Sequence, residues 1–373
     1  MTSLGVVFAG GGTGGHLYPS LAILEQLQAI GESPVEAVFV CSDREVDRTI
    51  LKAAGVSFQA VHARPPSLAP LGLIRFMKNW GPTVRSSRAI LKDLKSRCDD
   101  VHLVTMGGFV APPVVQAARA ERCPVTLVNI DAVPGRANRW IARRAARRLS
   151  TSPMHNPRWD DIPPIVRAAA IADSPAPTCR RLLGLDPQTN TLFVTGASLG
   201  AHSINMLMAR LVETQSDMFM SPQPWQVIHQ TGPKDTEYVR RAYADMGIRA
   251  VVEPFFEPMG PAWGAADLAI SRAGAGSVAE VWANCTPCLF LPYPYHKDQH
   301  QRLNAEPLVQ AGGALVHSDL IDADANVREI GPKLQELMAE GSLRAKMAES
   351  LHLLGPADGA GRVAMTLLRP EAP

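Results

Sequence analysis

Gly5-Val6-Val7-Phe8-Ala9-Gly10-Gly11-Gly12-Thr13-Gly14-Gly15-His16 is the stretch on which the fold turns. A short apolar run enters a cluster of glycines, and a helical pattern follows from Pro19 to about Ile30, so the order is strand, tight loop, helix. Apolar runs at residues 37–40, 101–104 and 125–128 follow, separated by stretches long enough for crossover helices, which is the rhythm of a parallel α/β sheet. The pattern restarts at 191–195, which leads into Gly196-Ala197-Ser198-Leu199-Gly200 and a helical segment from about Ser203. More short runs lie at 227–230, 251–255, 268–271 and 288–291. Two strand-and-glycine openings half a chain apart predict two Rossmann-like, doubly wound α/β domains facing a cleft, with ligands at the carboxyl ends of the strands.

The length agrees, since 373 residues exceed what one core usually organises. Pro153, Pro157, Pro163, Pro164, Pro175 and Pro177 break regular structure between the halves. The linker is placed near 165–185, giving domains 1–170 and 171–355. A second break at Gly355 and Pro356 leaves a final helical segment, 357–370, that can pack on either domain.

Hydrophobic residues make up 46% of the chain and charged residues 19%, which describes a folded enzyme and excludes disorder or a coiled coil. A net charge of +2 excludes a whole-molecule field that would steer the chain onto nucleic acid, so no nucleic-acid partner is expected. Six scattered cysteines are not a secreted disulfide framework. Cys285-Thr286-Pro287-Cys288 has redox or metal spacing, but no second pair accompanies it. The early strand leaves no room for a signal peptide, and no apolar run reaches the roughly 20 residues of a spanning helix. The expectation is a cytoplasmic chain with at most a peripheral membrane role.

Gly10, Gly12 and Gly15 satisfy G-x-G-x-x-G, and Asp43 follows the second strand, so a nicotinamide-binding domain is one reading. The longer string Gly11-Gly12-Thr13-Gly14-Gly15-His16-Leu17-Tyr18-Pro19 resembles the first-domain loop of the MurG family of glycosyltransferases. Met106-Gly107-Gly108-Phe109-Val110 is similar to the family's second glycine loop, and Gly135-Arg136-Ala137-Asn138-Arg139-Trp140 to a further segment of it. In the second half, Gly196-Ala197-Ser198-Leu199-Gly200-Ala201 resembles the loop that opens the donor domain. Ser271-Arg272-Ala273-Gly274 through Glu280, then Pro292 and His296-Lys297-Asp298-Gln299-His300-Gln301 to Asn304, resemble its sugar-nucleotide signature.

That resemblance implies a GT-B type enzyme performing inverting transfer of N-acetylglucosamine from UDP-N-acetylglucosamine to undecaprenyl-diphosphate-linked muramyl-pentapeptide, in peptidoglycan synthesis at the cytoplasmic face of the inner membrane. It implies that His16 is the base, with Thr13, Gly14, Gly15 and Asp131 near the substrates. Glu280 would accept hydrogen bonds from the ribose, Ser198 would lie near the diphosphate, and the Phe256 backbone would meet uracil. Gln301, His300 and the Ala275 backbone would read the sugar, and Arg167 would stand on the uridine side. The helix starts behind the glycines suit phosphate groups, and fixed N–H dipoles at the leaving diphosphate imply no obligatory metal or other cofactor. The one Asp-x-Asp, Asp322-Ala323-Asp324, lies away from these motifs.

The chain departs from the family at three places. Val128-Asn129-Ile130-Asp131 stands where the family carries His-Glu-Gln-Asn, Leu199 replaces a glutamine, and Pro163-Pro164-Ile165 replaces Gly-Asn-Pro. The rival readings are a transferase with another lipid or glycan acceptor, a UDP-sugar epimerase and the nicotinamide enzyme. Leu73, Phe76, Met77 and Trp80, flanked by Arg75, Lys78, Arg85, Arg88, Lys92 and Lys95, form either core or a face for an anionic membrane surface. Arg136, Arg139, Arg143 and Arg147, extended by Arg144 and Arg148, form a second basic helical face or a solvated one.

Overall fold

A computed structural model describes residues 3–12, 14–63, 70–154, 156–197, 200–220 and 222–369, without the side chains of 70–75 and 77. The chain divides into two compact units, residues 1–167 with 358–373, and residues 168–357.

The first unit holds a parallel sheet of β1 (Leu4–Ala9), β2 (Val35–Ser42), β3 (Phe58–Val61), β4 (Asp100–Thr105), β5 (Val125–Asn129), β6 (Arg147–Ser150) and β7 (Asp160–Asp161). Its order is β3-β2-β1-β4-β5-β6-β7. The second unit holds β8 (Asn190–Thr195), β9 (Trp225–Gln230), β10 (Ala250–Glu253), β11 (Leu268–Ser271), β12 (Cys288–Phe290) and β13 (Ala314–Val316), all parallel, ordered β10-β9-β8-β11-β12-β13. Both sheets reverse direction at their first strand, β1 or β8. Such a reversal opens a crevice at the carboxyl ends of the strands, where the glycine loops lie.

Strands that are covered on both faces must be apolar on both faces. In β1, Val6 and Phe8 join a core with Leu17, Leu21 and Leu24 of the helix Gly14–Ile30, while Val7 and Ala9 join another with Leu91 and Val114. In β8, Leu192 and Val194 pack with Leu207 and Ile330, and Phe193 packs with Trp263 and Val281 on the opposite face. Each such buried side chain contributes about 1.5–3 kcal/mol of transfer free energy.

The final helix, Gly359–Leu368, packs on the first unit through Ala360, Val363, Ala364 and Leu367. The helix Gly14–Ile30 starts five residues before the proline that the periodicity marked as its beginning, and Pro19 stands inside it, where it offers no N–H to the Gly15 carbonyl. The second basic helical face requires correction. The helix Arg136–Ala142 ends before Arg147 and Arg148, which lie in β6 and donate to the carbonyls of Thr366 and of Ala142 and Ala145. Arg144 lies 3.7 Å over the Trp140 ring. Of the first face, Trp80 is half-buried, its indole donating to Gln116 Oε1 at 2.6 Å and its ring meeting Phe76 and Trp140 edge-on. The side chains of Leu73, Arg75 and Met77 lie outside the described residues.

Candidate active site

In the first unit the glycine loop is held from behind by one buried carboxylate. Asp47, on the helix Glu45–Ala53, accepts the Gly12 N–H at 2.8 and 2.9 Å, the Ser42 N–H at 3.0 Å and the Ser42 hydroxyl at 2.6 Å. Arg44 ties the other side, donating to the Gly12 carbonyl at 2.9 Å and lying 5.3 Å over the Phe109 ring. The Gly12 N–H is therefore spent on the protein's own carboxylate and is closed to the pyrophosphate of a dinucleotide. Asp43, the acid of the nicotinamide reading, is engaged by His62 at 2.9 Å.

His16 stands at the head of the helix Gly14–Ile30, its carbonyl accepting from Ser20 Oγ at 2.9 Å. Gly108 lies beneath its ring. A Cβ on Gly108 would come within 3.0 Å of His16 Cε1, and the left-handed φ of 78° there also favours glycine. Burial lowers the imidazole pKa below its ordinary value, while the Asp131 charge, a hydrogen bond with the Gly11 backbone and the Asp47 charge oppose that shift. The result is a neutral ring able to take up a proton. His16 Nδ1 is buried and makes no hydrogen bond among the described residues.

Behind Asp131 a chain of amides fixes the loops that follow β4 and β5. Asn129 Nδ2 donates to the Asp131 carbonyl at 2.7 Å, and Asn138 Nδ2 donates to Asn129 Oδ1 at 3.0 Å and to the Met106 carbonyl at 3.2 Å. Gly14 and Gly15 open the helix, Gly14 buried and Gly15 exposed, and Thr13 lies outside the described residues. Arg167 also belongs to this unit, bonded to Glu25 at 3.2 Å and 5.4 Å over the Tyr18 ring.

In the second unit the expected residues Phe256, Ala275, Glu280, His300 and Gln301 follow the carboxyl ends of β10, β11 and β12. Ser198 lies outside the described residues, as does Leu199. Around them, Ala197 N–H donates to Thr195 Oγ1 at 3.1 Å, and Gly200, with a φ of 73°, has its Cα so close to the Thr231 carbonyl that a Cβ would overlap it. The buried Gln230 joins this loop to the Phe256 segment. Its Nε2 donates to Thr195 Oγ1 and the Ala197 carbonyl, both at 3.2 Å, and its Oε1 accepts the Phe256 N–H at 3.0 Å. The Phe256 N–H is therefore spent within the protein.

After β11, Gly274 in extended conformation caps the helix Ala275–Asn284, whose first N–H groups make a site for an anion. Arg272, immediately before it, donates to the Leu291 carbonyl at 2.7 Å, pairs with Asp319 at 2.8 Å and donates to Ser203 Oγ at 2.8 Å. Ser203 donates to Asp319 at 2.6 Å and Asn326 Nδ2 donates to its other oxygen at 2.9 Å. Burial opposes ionisation of Asp319, but these hydrogen bonds, the Ile321 N–H and the Arg272 charge outweigh it and hold the carboxyl below its ordinary range. One buried ion pair thus locks the ends of β11, β12 and β13 to the helix that follows the glycine loop.

Glu280, on the second turn of its helix, accepts from Trp263 Nε1 at 2.9 Å. Burial pushes its carboxyl up to about 7, helped by Glu257 and opposed by the Trp263 bond. Gln301 Oε1 accepts the Tyr293 N–H at 2.9 Å, which turns its NH2 end away from that bond. His300 Nδ1 lies 2.8 Å from Asp298 and its ring stands 4.3 Å from His296.

The Asp-x-Asp is built into the scaffold, Asp322 capping the helix Ala323–Ala339 by accepting from Ala325 N–H and Asp324 pairing with Arg210 at 2.6 Å. Cys288 is buried in β12 with its thiol pushed well up by desolvation, and all six cysteines are free. Sequence reasoning missed Asp47, Gln230, Asp319 and Trp263. Gln230 closes an apolar run, a signal shared by many surface positions, and the other three carry no signal of their own in the sequence.

Two domain families match the chain. Residues 6–150 match the glycosyltransferase family 28 N-terminal domain and residues 191–362 the glycosyltransferase family 28 C-terminal domain. Among curated relatives, a protein of Geobacter sulfurreducens is 32% identical, covering 89% of this chain and 94% of its own. One of Geobacter metallireducens is 30% identical, with 95% of each covered. Both are named UDP-N-acetylglucosamine--N-acetylmuramyl-(pentapeptide) pyrophosphoryl-undecaprenol N-acetylglucosamine transferase. The crystal structure of Acinetobacter baumannii MurG superimposes with a TM-score of 0.72 at 23% identity, covering 98% of this chain and 99% of that one. A UDP-GlcNAc 2-epimerase from Neisseria meningitidis reaches 0.63 at 11% identity, covering 98% and 99%, a likeness of fold alone.

Proposed function

The chain belongs to the MurG family of glycosyltransferases, and from that premise we propose that it transfers N-acetylglucosamine from UDP-N-acetylglucosamine to the undecaprenyl-diphosphate-linked muramyl-pentapeptide, making the disaccharide lipid of peptidoglycan synthesis. The observation that carries the reading is the match to these transferases through both halves of the chain. The rival nicotinamide reading has lost the loop N–H that it needs.

The acceptor belongs to the first unit and the sugar nucleotide to the second. The acceptor hydroxyl gives its proton to neutral His16 and attacks the anomeric carbon. The bond from that carbon to the diphosphate oxygen breaks with inversion, and UDP leaves with the electron pair. The N–H groups at the head of the helix Ala275–Asn284 face the growing negative charge without reorganising. Glu280 holds the ribose, the Phe256 carbonyl the uracil, and the Gln301 NH2 and His300 the sugar hydroxyls. No residue is assigned to an obligatory metal, so turnover should survive a chelator.

A lipid-linked acceptor calls for a peripheral position at the cytoplasmic face of the membrane. Among the described residues no helix is long and apolar enough to cross a membrane. Incubation with UDP-N-acetylglucosamine, with and without the lipid-linked acceptor, tests the whole reading. UDP release that depends on the acceptor, together with a disaccharide lipid, is the expected result. UDP release without acceptor, or a 2-epimerised donor, would overturn it.

A further inference from the structure

The Glu280 carboxylate is held by a side chain that cannot turn. Trp263, on the helix Gly260–Ala265, is 1% exposed and stands edge-on to Phe193 with centroids 4.8 Å apart, so its indole N–H points one way only. That N–H donates to Glu280 Oε2 at 2.9 Å. An indole offers one donor and no acceptor, and an ionised carboxylate has about four lone-pair sites, so about three stay open for a ligand. The helix carrying Trp263 is itself wedged, since a Cβ on Gly260 would come within 2.5 Å of the Ile171 carbonyl. On the Glu280 side, Asn284 Nδ2 donates to the Glu280 carbonyl at 2.8 Å and to the Ala170 carbonyl at 2.9 Å. The charged group felt by Glu280 is Glu257, whereas Arg302 and Glu306 on the packed helix His300–Gln310 are exposed.

We propose that Trp263 is a positioning residue for recognition of the donor's ribose, its indole N–H holding Glu280 in one orientation and in its charged form so that the carboxylate accepts from the ribose diol. The inference rests on the ribose role proposed for Glu280. A diol that donates to a carboxylate favours its ionised form, so nucleotide binding near neutral pH releases a proton. Without the indole donor the carboxyl titrates at higher pH, and discrimination between ribose and deoxyribose is lost over a wider range.

The test is calorimetry of UDP and 2′-deoxy-UDP binding to the full chain from about pH 5.5 to about pH 8.5, with Trp263→Phe and Glu280→Gln beside the wild type. The wild-type preference for UDP should narrow as pH falls through about 7, where Glu280 takes up its proton. Trp263→Phe should lower UDP affinity roughly tenfold, leave 2′-deoxy-UDP nearly unaffected and move the midpoint of the preference to higher pH. If Glu280→Gln removes the preference while Trp263→Phe leaves its size and midpoint unchanged, the positioning role is wrong and the ribose role stands. If Glu280→Gln leaves the preference intact, the ribose role itself fails and the proposal with it. Should Trp263→Phe not fold, Trp263→Tyr takes its place, and a preference unchanged in size and midpoint there overturns the proposal alone.

Discussion

The glycine loop after β1 and the glycine loop after β8 both run into a helix from the central strand of a sheet whose first six strands follow the same order, yet they are fastened with opposite chemistry. The first is pinned by the buried Asp47 carboxylate, and a second carboxylate, Asp131, acts on the His16 ring beside it. The second is pinned by neutral groups, the Gln230 amide and the Thr195 hydroxyl, with the Arg272–Asp319 pair behind the neighbouring loops. Negative charge beside the first loop favours a ring that becomes cationic on taking up a proton. A neutral clamp at the second leaves room for an anion at its helix ends. The strand order that the two sheets share thus carries two different clamps, which suit the proton-accepting role proposed for His16 and the diphosphate site proposed for the second unit.

The comparison breaks most visibly at His16. His16→Ala should lower turnover by about 10²–10⁴-fold, the usual range for a general base, with UDP affinity measured by calorimetry unchanged. A parallel loss of UDP affinity would mean that the first loop also binds the nucleotide. Next in size is Asp319→Ala, which leaves the Arg272 charge buried and unpaired and should cost about 3–5 kcal/mol in urea unfolding. Because the folded pKa of Asp319 is depressed, its contribution is present above the ordinary carboxyl range and is lost as pH falls through the lower folded value. An unfolding free energy equal to wild type at neutral pH would show that the clamp carries no load. Asp47→Asn should be milder, about 1–3 kcal/mol, because the amide oxygen can replace only part of the carboxylate's acceptance of Gly12 and Ser42. Its turnover should fall more than its UDP affinity, and the reverse order would assign phosphate binding to the first loop.

What the sequence made legible is the repeated unit of strand, glycine loop and helix. Two apolar runs ending in glycines state the topology because only a buried parallel strand needs apolar residues on both faces. The strand with Arg147 and Arg148 was not legible, since its arginines spend their charge on backbone carbonyls and carry no apolar signature. Glu280, Gln301 and His16 stand in motifs whose resemblance names them. Asp47 and Asp319 stand in none, because a buried carboxylate is recognisable only from donors that come from residues far away in the chain, such as Gly12 for Asp47 and Ser203 for Asp319. Phe256 shows the same limit within one residue. Its position was readable, but the use of its N–H by Gln230 was not.

Arg167 decides where the comparison ends. The family resemblance puts it on the uridine side, which belongs with the second loop, whereas its side chain lies in the first unit, paired with Glu25 and over Tyr18. A partly exposed pair of this kind contributes about 0–1 kcal/mol. If these local bonds are its whole role, Arg167→Ala should shift the thermal midpoint slightly and change the KM for the sugar nucleotide by less than about threefold. A larger rise in that KM at unchanged kcat would mean that the arginine leaves Glu25 when nucleotide binds and joins the donor site. The single variant Glu25→Gln, with Arg167 in place, separates the two cases. An arginine held back by Glu25 is released by that change and binds nucleotide more tightly, whereas an arginine with only a local role leaves nucleotide binding where it was.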